Sequence, residues 1–305
     1  MPLPTFVVVG AARCGTTALH TQLDGHPDIA MTAVKEPNYF TFRQDAAGPV
    51  PLVDEHRIVV KSVPERAAYE RLFTTSGRRV AAYGDISPLY LYVRESAGLI
   101  ADAVPDARII AILRDPVERA YSHFLLTYEG DPDAVGTAFA EVCEAEWDLP
   151  YTPFRSGTHV LRLGRYWEQL TRYYDRFPAE QVLAVAYADL AADPAGTLRR
   201  ICAFVGVRTD VDLADARGVN ASGIPRPGLA GRAESGMRRV QPYVKRALPA
   251  RAVAPVAALR ERMRRSLVTT APSVDPALRA RLLTDYYAAD LAAVENELGL
   301  RLVGA

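Results

Sequence analysis

The run Thr5–Gly10 (TFVVVG) leads straight into a loop bounded by two glycines and then into a helical pattern, and this unit constrains the fold more than any other stretch. A continuous apolar run of this length suits a strand covered on both faces of a parallel sheet. The loop, Gly10-Ala-Ala-Arg-Cys-Gly15-Thr16-Thr17, has G-x-x-x-x-G spacing. Between a strand and a helix, such loops hold anions with backbone N–H groups and the helix N-terminus. The helix spans Thr16–Asp24 and closes at Gly25 and Pro27. An ordinary strand–turn–helix would use its glycines for the turn alone. Strand, spacing, the cation Arg13 and the paired threonines together favour phosphate binding. An ATP site fits poorly, because the Lys that reaches the β- and γ-phosphates after the second glycine is Thr16 here.

Short apolar runs alternate with longer helical patterns along the rest of the chain. Val80–Asp85 (VAAYGD), Arg108–Leu113 (RIIAIL) and Val182–Tyr187 (VLAVAY) read as strands, and Pro116–Thr127, Gly164–Phe177 and Pro194–Val205 read as helices. The alternation predicts an α/β fold, a P-loop-like parallel sheet flanked by helices, as one domain over residues 1–305. Ligands are then expected at the C-terminal ends of the strands. Two helix starts are signed. Asp115-Pro116-Val117-Glu118 outlines a capping box, and Asp193-Pro194 opens a helix that Gly206 ends. Residues 222–272 are rich in Pro, Gly and Arg and read as an excursion from the core. A final amphipathic helix, roughly Pro276–Leu298, puts Leu278, Leu282, Tyr286, Leu291, Val294 and Leu298 on a core face.

Composition narrows the function classes. Thirty-six Lys+Arg balance 36 Asp+Glu, which argues against a globally basic nucleic-acid binder and against a disordered polyanion. Residues 222–265 are the exception, with eleven basic and two acidic residues. Three cysteines, Cys14, Cys143 and Cys202, form no disulfide framework and favour a reducing compartment. No stretch approaches the roughly 20 apolar residues of a membrane span, and Phe6–Ala12 lacks the basic leader of a signal peptide. A soluble, cytoplasmic protein is expected.

A second anion site is readable at Arg114, which ends the strand RIIAIL just before the capped helix. Ser122 lies two turns along that helix, with Arg119 between. An arginine so placed can take a phosphate through a charge-assisted fork; an ion pair with Asp115 or Glu118 is the alternative.

Ala12-Arg13-Cys14-Gly15-Thr16-Thr17, taken with Arg114-Asp-Pro-Val-Glu-Arg-Ala-Tyr-Ser122, resembles the paired signatures of sulfotransferases that use 3′-phosphoadenosine 5′-phosphosulfate (PAPS). The resemblance implies that residues 13–18 (Arg13, Cys14, Gly15, Thr16, Thr17 and Ala18) hold the 5′-phosphosulfate, while Arg114 and Ser122 hold the 3′-phosphate. It also implies transfer without a metal. Further segments extend it to about Gly206. Lys35-Glu36-Pro37-Asn38-Tyr39-Phe40 is similar to an acidic motif of the heparan-type and bacterial branches, and Gly84–Tyr90 to their Ser/Thr-Pro-x-Tyr segment. Tyr187-Ala-Asp189-Leu190 resembles a Tyr-Glu-Asp-Leu segment whose Tyr packs on adenine. Asn220-Ala-Ser-Gly-Ile-Pro-Arg226 resembles a late loop that closes over the cofactor, with Arg226 on it. The chain departs at Ala188, where the motif has Glu, and at Ile86, where heparan-type enzymes often carry Lys; the usual terminal Trp is absent.

Sulfuryl transfer places growing charge on the leaving phosphate, so electrostatic stabilisation by Arg13 and the Gly15–Thr17 amides is the expected main contribution. An acceptor hydroxyl also needs a base. The resemblance assigns that role to Glu36; His123 is the second candidate, and an exposed Lys35–Glu36 pair the plain alternative. Asp85 ends a strand as a Mg²⁺-holding acid would, or orients the acceptor or Arg13, or is structural. Cys14 sits near a helix N-terminus, which could acidify its thiol; it reads as a small tolerated residue, open to oxidation. His and Cys spacing implies no metal site. Lys35 and Lys61 could reach the acceptor or be solvated. The basic stretch reads as a cofactor lid over its first third and a solvated face over the rest, with a docking face for an acidic carrier or membrane as the alternative; a homodimer also stays open. Nucleic-acid binding is disfavoured because Tyr243 stands alone. The acceptor is a small molecule, lipid or glycan, its pocket lined by Phe42–Lys61 and Tyr128–His159. The high Arg/Lys ratio suggests a bacterial tailoring enzyme from a GC-rich genome. A Mg²⁺-dependent P-loop kinase and a non-catalytic nucleotide-binding protein are the competing readings.

Overall fold

The computed structural model describes residues 2–42, 62–73, 75, 77, 79–128, 132–149, 159–211, 224–225, 268–269 and 271–304. Five parallel strands, β1 (Phe6–Gly10), β2 (Ile29–Met31), β3 (Ala82–Ile86), β4 (Arg108–Leu113) and β5 (Val182–Ala186), form one sheet in the order β2-β3-β1-β4-β5. The expected α/β architecture of a parallel sheet flanked by helices is what the chain adopts. Burial explains why β1 sits at the centre. Phe6, Val7, Val8 and Val9 are fully buried, and each such side chain contributes roughly 1.5–3 kcal/mol when removed from water.

The chain leaves β1 toward β3 and β2, returns, and crosses to β4 on the other side of β1. This reversal puts the C-terminal ends of β1 and β4 side by side, the crevice where open α/β sheets bind ligands. Phe6 pairs with Arg108 and Val8 with Ile110, so the loops after Gly10 and Leu113 emerge at one edge.

The helices that matter for that edge are α1 (Thr16–Asp24), α2 (Pro116–Thr127), α3 (Val135–Trp147), α4 (Tyr166–Tyr174), α5 (Tyr187–Ala192), α6 (Pro194–Val205), α7 (Pro276–Arg281) and α8 (Ala288–Leu298). Leu19 and Leu23 of α1, Leu170 and Tyr173 of α4, and Leu198 and Ile201 of α6 join the sheet's core. A second core unites Val117, Ala120 and Phe124 of α2 with Phe139 and Cys143 of α3 and with Leu282, Tyr286 and Tyr287.

Differences from the sequence expectations have local causes. β2 has three residues, too few for any periodicity to show. The helix α3 lies within a stretch read as an acceptor loop. The single C-terminal helix is instead α7 and α8 joined by a π turn, Leu282–Tyr286, which still buries Leu282 and Tyr286. Of the capping box only half forms: Asp115 Oδ1 accepts from the N–H groups of Val117 (2.9 Å) and Glu118 (3.0 Å), while the Glu118 carboxylate turns toward arginines. Ile224 and Pro225 pair antiparallel with Thr269 and Val268. This ribbon joins the two ends of the basic excursion, whose residues 226–267, Arg226 among them, lie outside the described residues, as do Lys61 and most of the expected acceptor loops.

Candidate active site

The loop after β1 is shaped by two left-handed residues, Arg13 (φ 72°) and Gly15 (φ 81°). Alternating backbone hands of this kind turn successive N–H groups into one concavity. Gly15 is required twice over: a Cβ there would lie 2.9 Å from Cε2 of Tyr187, and the positive φ disfavours a side chain. No side chain caps α1 and its first turn holds no acid, so its N-terminal amides and dipole are left for an anion.

Arginines converge on this concavity. Nε of Arg13 donates to Oγ of Ser122 at 3.1 Å, a bond that ties the phosphate loop to α2 across 109 residues of sequence. Arg114 lies at the mouth of α2, its guanidinium 5.0 Å from the centroid of the Tyr187 ring. Its carbonyl accepts from the Tyr166 hydroxyl at 2.8 Å. Its one ion-pair partner among the described residues is Glu118, at 3.6 Å. Burial, and then the charges of Arg114 and Arg119, hold the Arg13 guanidinium below its ordinary value, with Glu36 opposing. Such like-charge crowding is what an anion would relieve.

Two residues depart from the sequence reading. Arg119, named there only as a spacer, is fully buried. It donates through Nη2 to the carbonyl of Val160, and its Nε and Nη1 have no hydrogen-bond partner among the described residues. Its charge acts on both Cys14 and Arg13. The one signal was its i, i+3 spacing to Ser122; burial is not visible in that. Cys14 is the opposite case. Burial pushes its thiol up to about 11, outweighing Arg119 and Arg114, so the acidification that a helix N-terminus offers does not occur.

Glu36 is held by backbone rather than by burial. Glu36 (φ 59°) and Asn38 (φ 49°) are both left-handed on either side of Pro37. The Asn38 side-chain amide donates to the Glu36 carbonyl at 3.0 Å, and its backbone N–H donates to Ser87 Oγ at 3.2 Å. Beneath, Tyr39 stacks on Tyr69 at 4.2 Å. The Glu36 carboxylate is 44% exposed and forms the plain ion pair with Lys35, while its charge also acts on Arg13. His123 is buried in α2 immediately after Ser122. Asp85 is fully buried, and its carboxylate accepts the hydroxyls of Tyr69 (2.8 Å), Ser87 (2.8 Å) and Tyr90 (2.9 Å). Those three bonds tie the strand end to the aromatic layer.

Residues 4–211 match the model of the Sulfotransferase family. The chain belongs to the sulfotransferase family. Human bifunctional heparan sulfate N-deacetylase/N-sulfotransferase 2 is 30% identical over 211 residues, covering 67% of this sulfotransferase and 22% of that protein. Mouse heparan sulfate glucosamine 3-O-sulfotransferase 3B1 is 26% identical over 206 residues, covering 68% of this chain and 47% of its own. This chain therefore spans less than half the length of either relative. A solved sulfotransferase from Alicyclobacillus acidocaldarius superposes with a TM-score of 0.59 at 31% identity, over 78% of this chain and 93% of that one. Sulfuryl transfer is thus the chemistry of the family. Among the described residues, no helix is long and apolar enough to cross a membrane.

Proposed function

We propose that this sulfotransferase moves a sulfuryl group from PAPS to a hydroxyl, with an amine as second choice, of a small-molecule, lipid or glycan acceptor, releasing adenosine 3′,5′-bisphosphate. The observation that carries the reading is the Arg13–Ser122 hydrogen bond, which makes the two anion sites neighbours without a lysine for a β/γ-phosphate pair. The residues present fit such a donor: an uncapped helix N-terminus and Arg13 for one charged end, Arg114 with Ser122 for the other, and the Tyr187 ring between Gly15 and Arg114 for a flat base. Arg226 is assigned to the donor by resemblance alone.

When bound, the donor supplies a sulfuryl group whose bond to the 5′-phosphate oxygen breaks as the acceptor oxygen bonds to sulfur. Arg13 and the Gly15–Thr17 amides stabilise the charge that grows on that phosphate oxygen. Glu36, a half-exposed carboxylate whose charge acts on Arg13, takes the acceptor's proton. His123 is the second candidate for this step. Three free, buried cysteines suit a cytoplasmic setting.

The names of two relatives carry heparan sulfate, so glycan acceptors are the first class to screen. Small molecules and lipids belong beside them, because Ile86 stands where heparan-type enzymes often have Lys. The test is transfer of label from ³⁵S-PAPS to an acceptor panel, together with thermal shift. Adenosine 3′,5′-bisphosphate should raise the melting temperature without Mg²⁺ and ATP should raise it much less. A larger, Mg²⁺-dependent response to ATP would overturn the reading.

A further inference from the structure

Among the described residues, a side chain outside those matched by the family model reaches the start of α2. Arg279, on α7, donates through Nη1 to Asp115 Oδ1 at 3.3 Å and through Nη2 to Asp115 Oδ2. The same guanidinium is 3.9 Å from Glu118 Oε1, and the other Glu118 oxygen is 3.6 Å from Arg114. Four charges therefore alternate around the start of α2: Arg114, Glu118, Arg279, Asp115. Arg279 is thus a second cation for the two carboxylates at the start of α2, and Glu118 has a partner to turn to when Arg114 is taken.

We propose that Arg279 is a positioning residue for the donor's 3′-phosphate: it engages Asp115 and Glu118 so that Arg114 is released to the phosphate. This rests on the donor reading above. The exchange moves no covalent bond. Glu118 trades Arg114 for Arg279, and the phosphate takes the guanidinium that Glu118 gives up. Part-exposed ion pairs of this kind each contribute little, so such a trade is feasible at small net cost.

α7 is also anchored by a second arginine, Arg281, whose guanidinium pairs with Glu144 and lies 4.5 Å from the Trp147 ring centroid. It supplies the control for anchoring alone. The experiment is a calorimetric double-mutant cycle with adenosine 3′,5′-bisphosphate on the full chain, using Arg279→Gln, Glu118→Gln and the pair, with Arg279→Lys and Arg281→Gln alongside and melting temperatures recorded for all. Arg279→Gln should weaken binding about 10-fold or more, and adding Glu118→Gln should bring it back to within about threefold of wild type. Arg279→Lys should keep most of the affinity and Arg281→Gln should stay within about twofold. A purely anchoring role would not be rescued by removing Glu118. If wild type binds the bisphosphate but the two substitutions are additive, or Arg279→Gln is within twofold of wild type, this inference falls alone. A wild type that does not bind it overturns the donor reading and the inference together.

Discussion

Arg13 and Glu36 are non-glycine residues in left-handed backbone, a conformation that costs roughly 1–2 kcal/mol for an L-residue. Such strain persists only where neighbours enforce it; here Ser122 holds Arg13, and Asn38 holds the Glu36 carbonyl. Glu36→Gln keeps the shape and removes the base, so turnover of PAPS should fall by at least 10²-fold, the lower range for general-base catalysis, with bisphosphate affinity within about threefold. Full turnover would end the assignment. Gly15→Ala adds a Cβ 2.9 Å from Tyr187 in a backbone with φ 81°; loss of bisphosphate binding, with a lower melting temperature, is the expected result. Both residues were legible because spacing and family motif mark them. Arg119 and Cys14 were not, because what decides each is burial, and burial belongs to the assembled chain.

At the scale of elements, α2 shows how one residue serves two ends. Asp115 caps the helix through Val117 and Glu118 and also receives Arg279 from the far end of the chain. Asp115→Ala should lower the unfolding free energy by ~1 kcal/mol, the usual worth of an N-cap, while Asp115→Asn should keep most of it in a denaturant melt. Equal losses would mean that the Arg279 pair, not the cap, stabilises the helix. The boundaries of α2 and α6 were readable to the residue, since Asp-Pro starts and Gly206 punctuate them. β3 runs Ala82–Ile86 against the expected Val80–Asp85, because register pairing starts at Ala82 opposite Ile29 and extends to Ile86 opposite Val8. α3 was missed since its buried residues, Val135, Phe139, Cys143 and Glu146, include a charge. Glu146 spends that charge on the N–H groups of Val160, Leu161 and Arg162, at 2.6, 2.6 and 2.8 Å, a contact no local pattern reveals.

Across the whole molecule, the order β2-β3-β1-β4-β5 puts the ends of β1 and β4 together, so two sequence motifs a hundred residues apart become one site. Pairing of motifs was legible; the tie that joins them, Arg13 to Ser122, was not. Beneath the site, burial pushes the Asp85 carboxyl up to about 6 despite three hydroxyl donors. An unfolded Asp titrates near about 3.9, so stability associated with the neutral form is present below about pH 3.9 and lost as pH rises through about 6, a change of ~3 kcal/mol. The unfolding free energy of wild type relative to Asp85→Asn should therefore fall between about pH 4 and 6.5. A flat difference would mean that Asp85 is ionised without penalty. The central claim, that two cationic pockets grip opposite ends of one adenosine donor, is tested most directly by calorimetric titration of wild type and Arg114→Ala with adenosine 3′,5′-bisphosphate and adenosine 5′-monophosphate. Wild type should prefer the bisphosphate by about 10-fold or more, and Arg114→Ala should lose ~1.5–3 kcal/mol for it while binding the monophosphate nearly as before. Equal affinity of wild type for the two nucleotides, or a preference that survives Arg114→Ala intact, would contradict it.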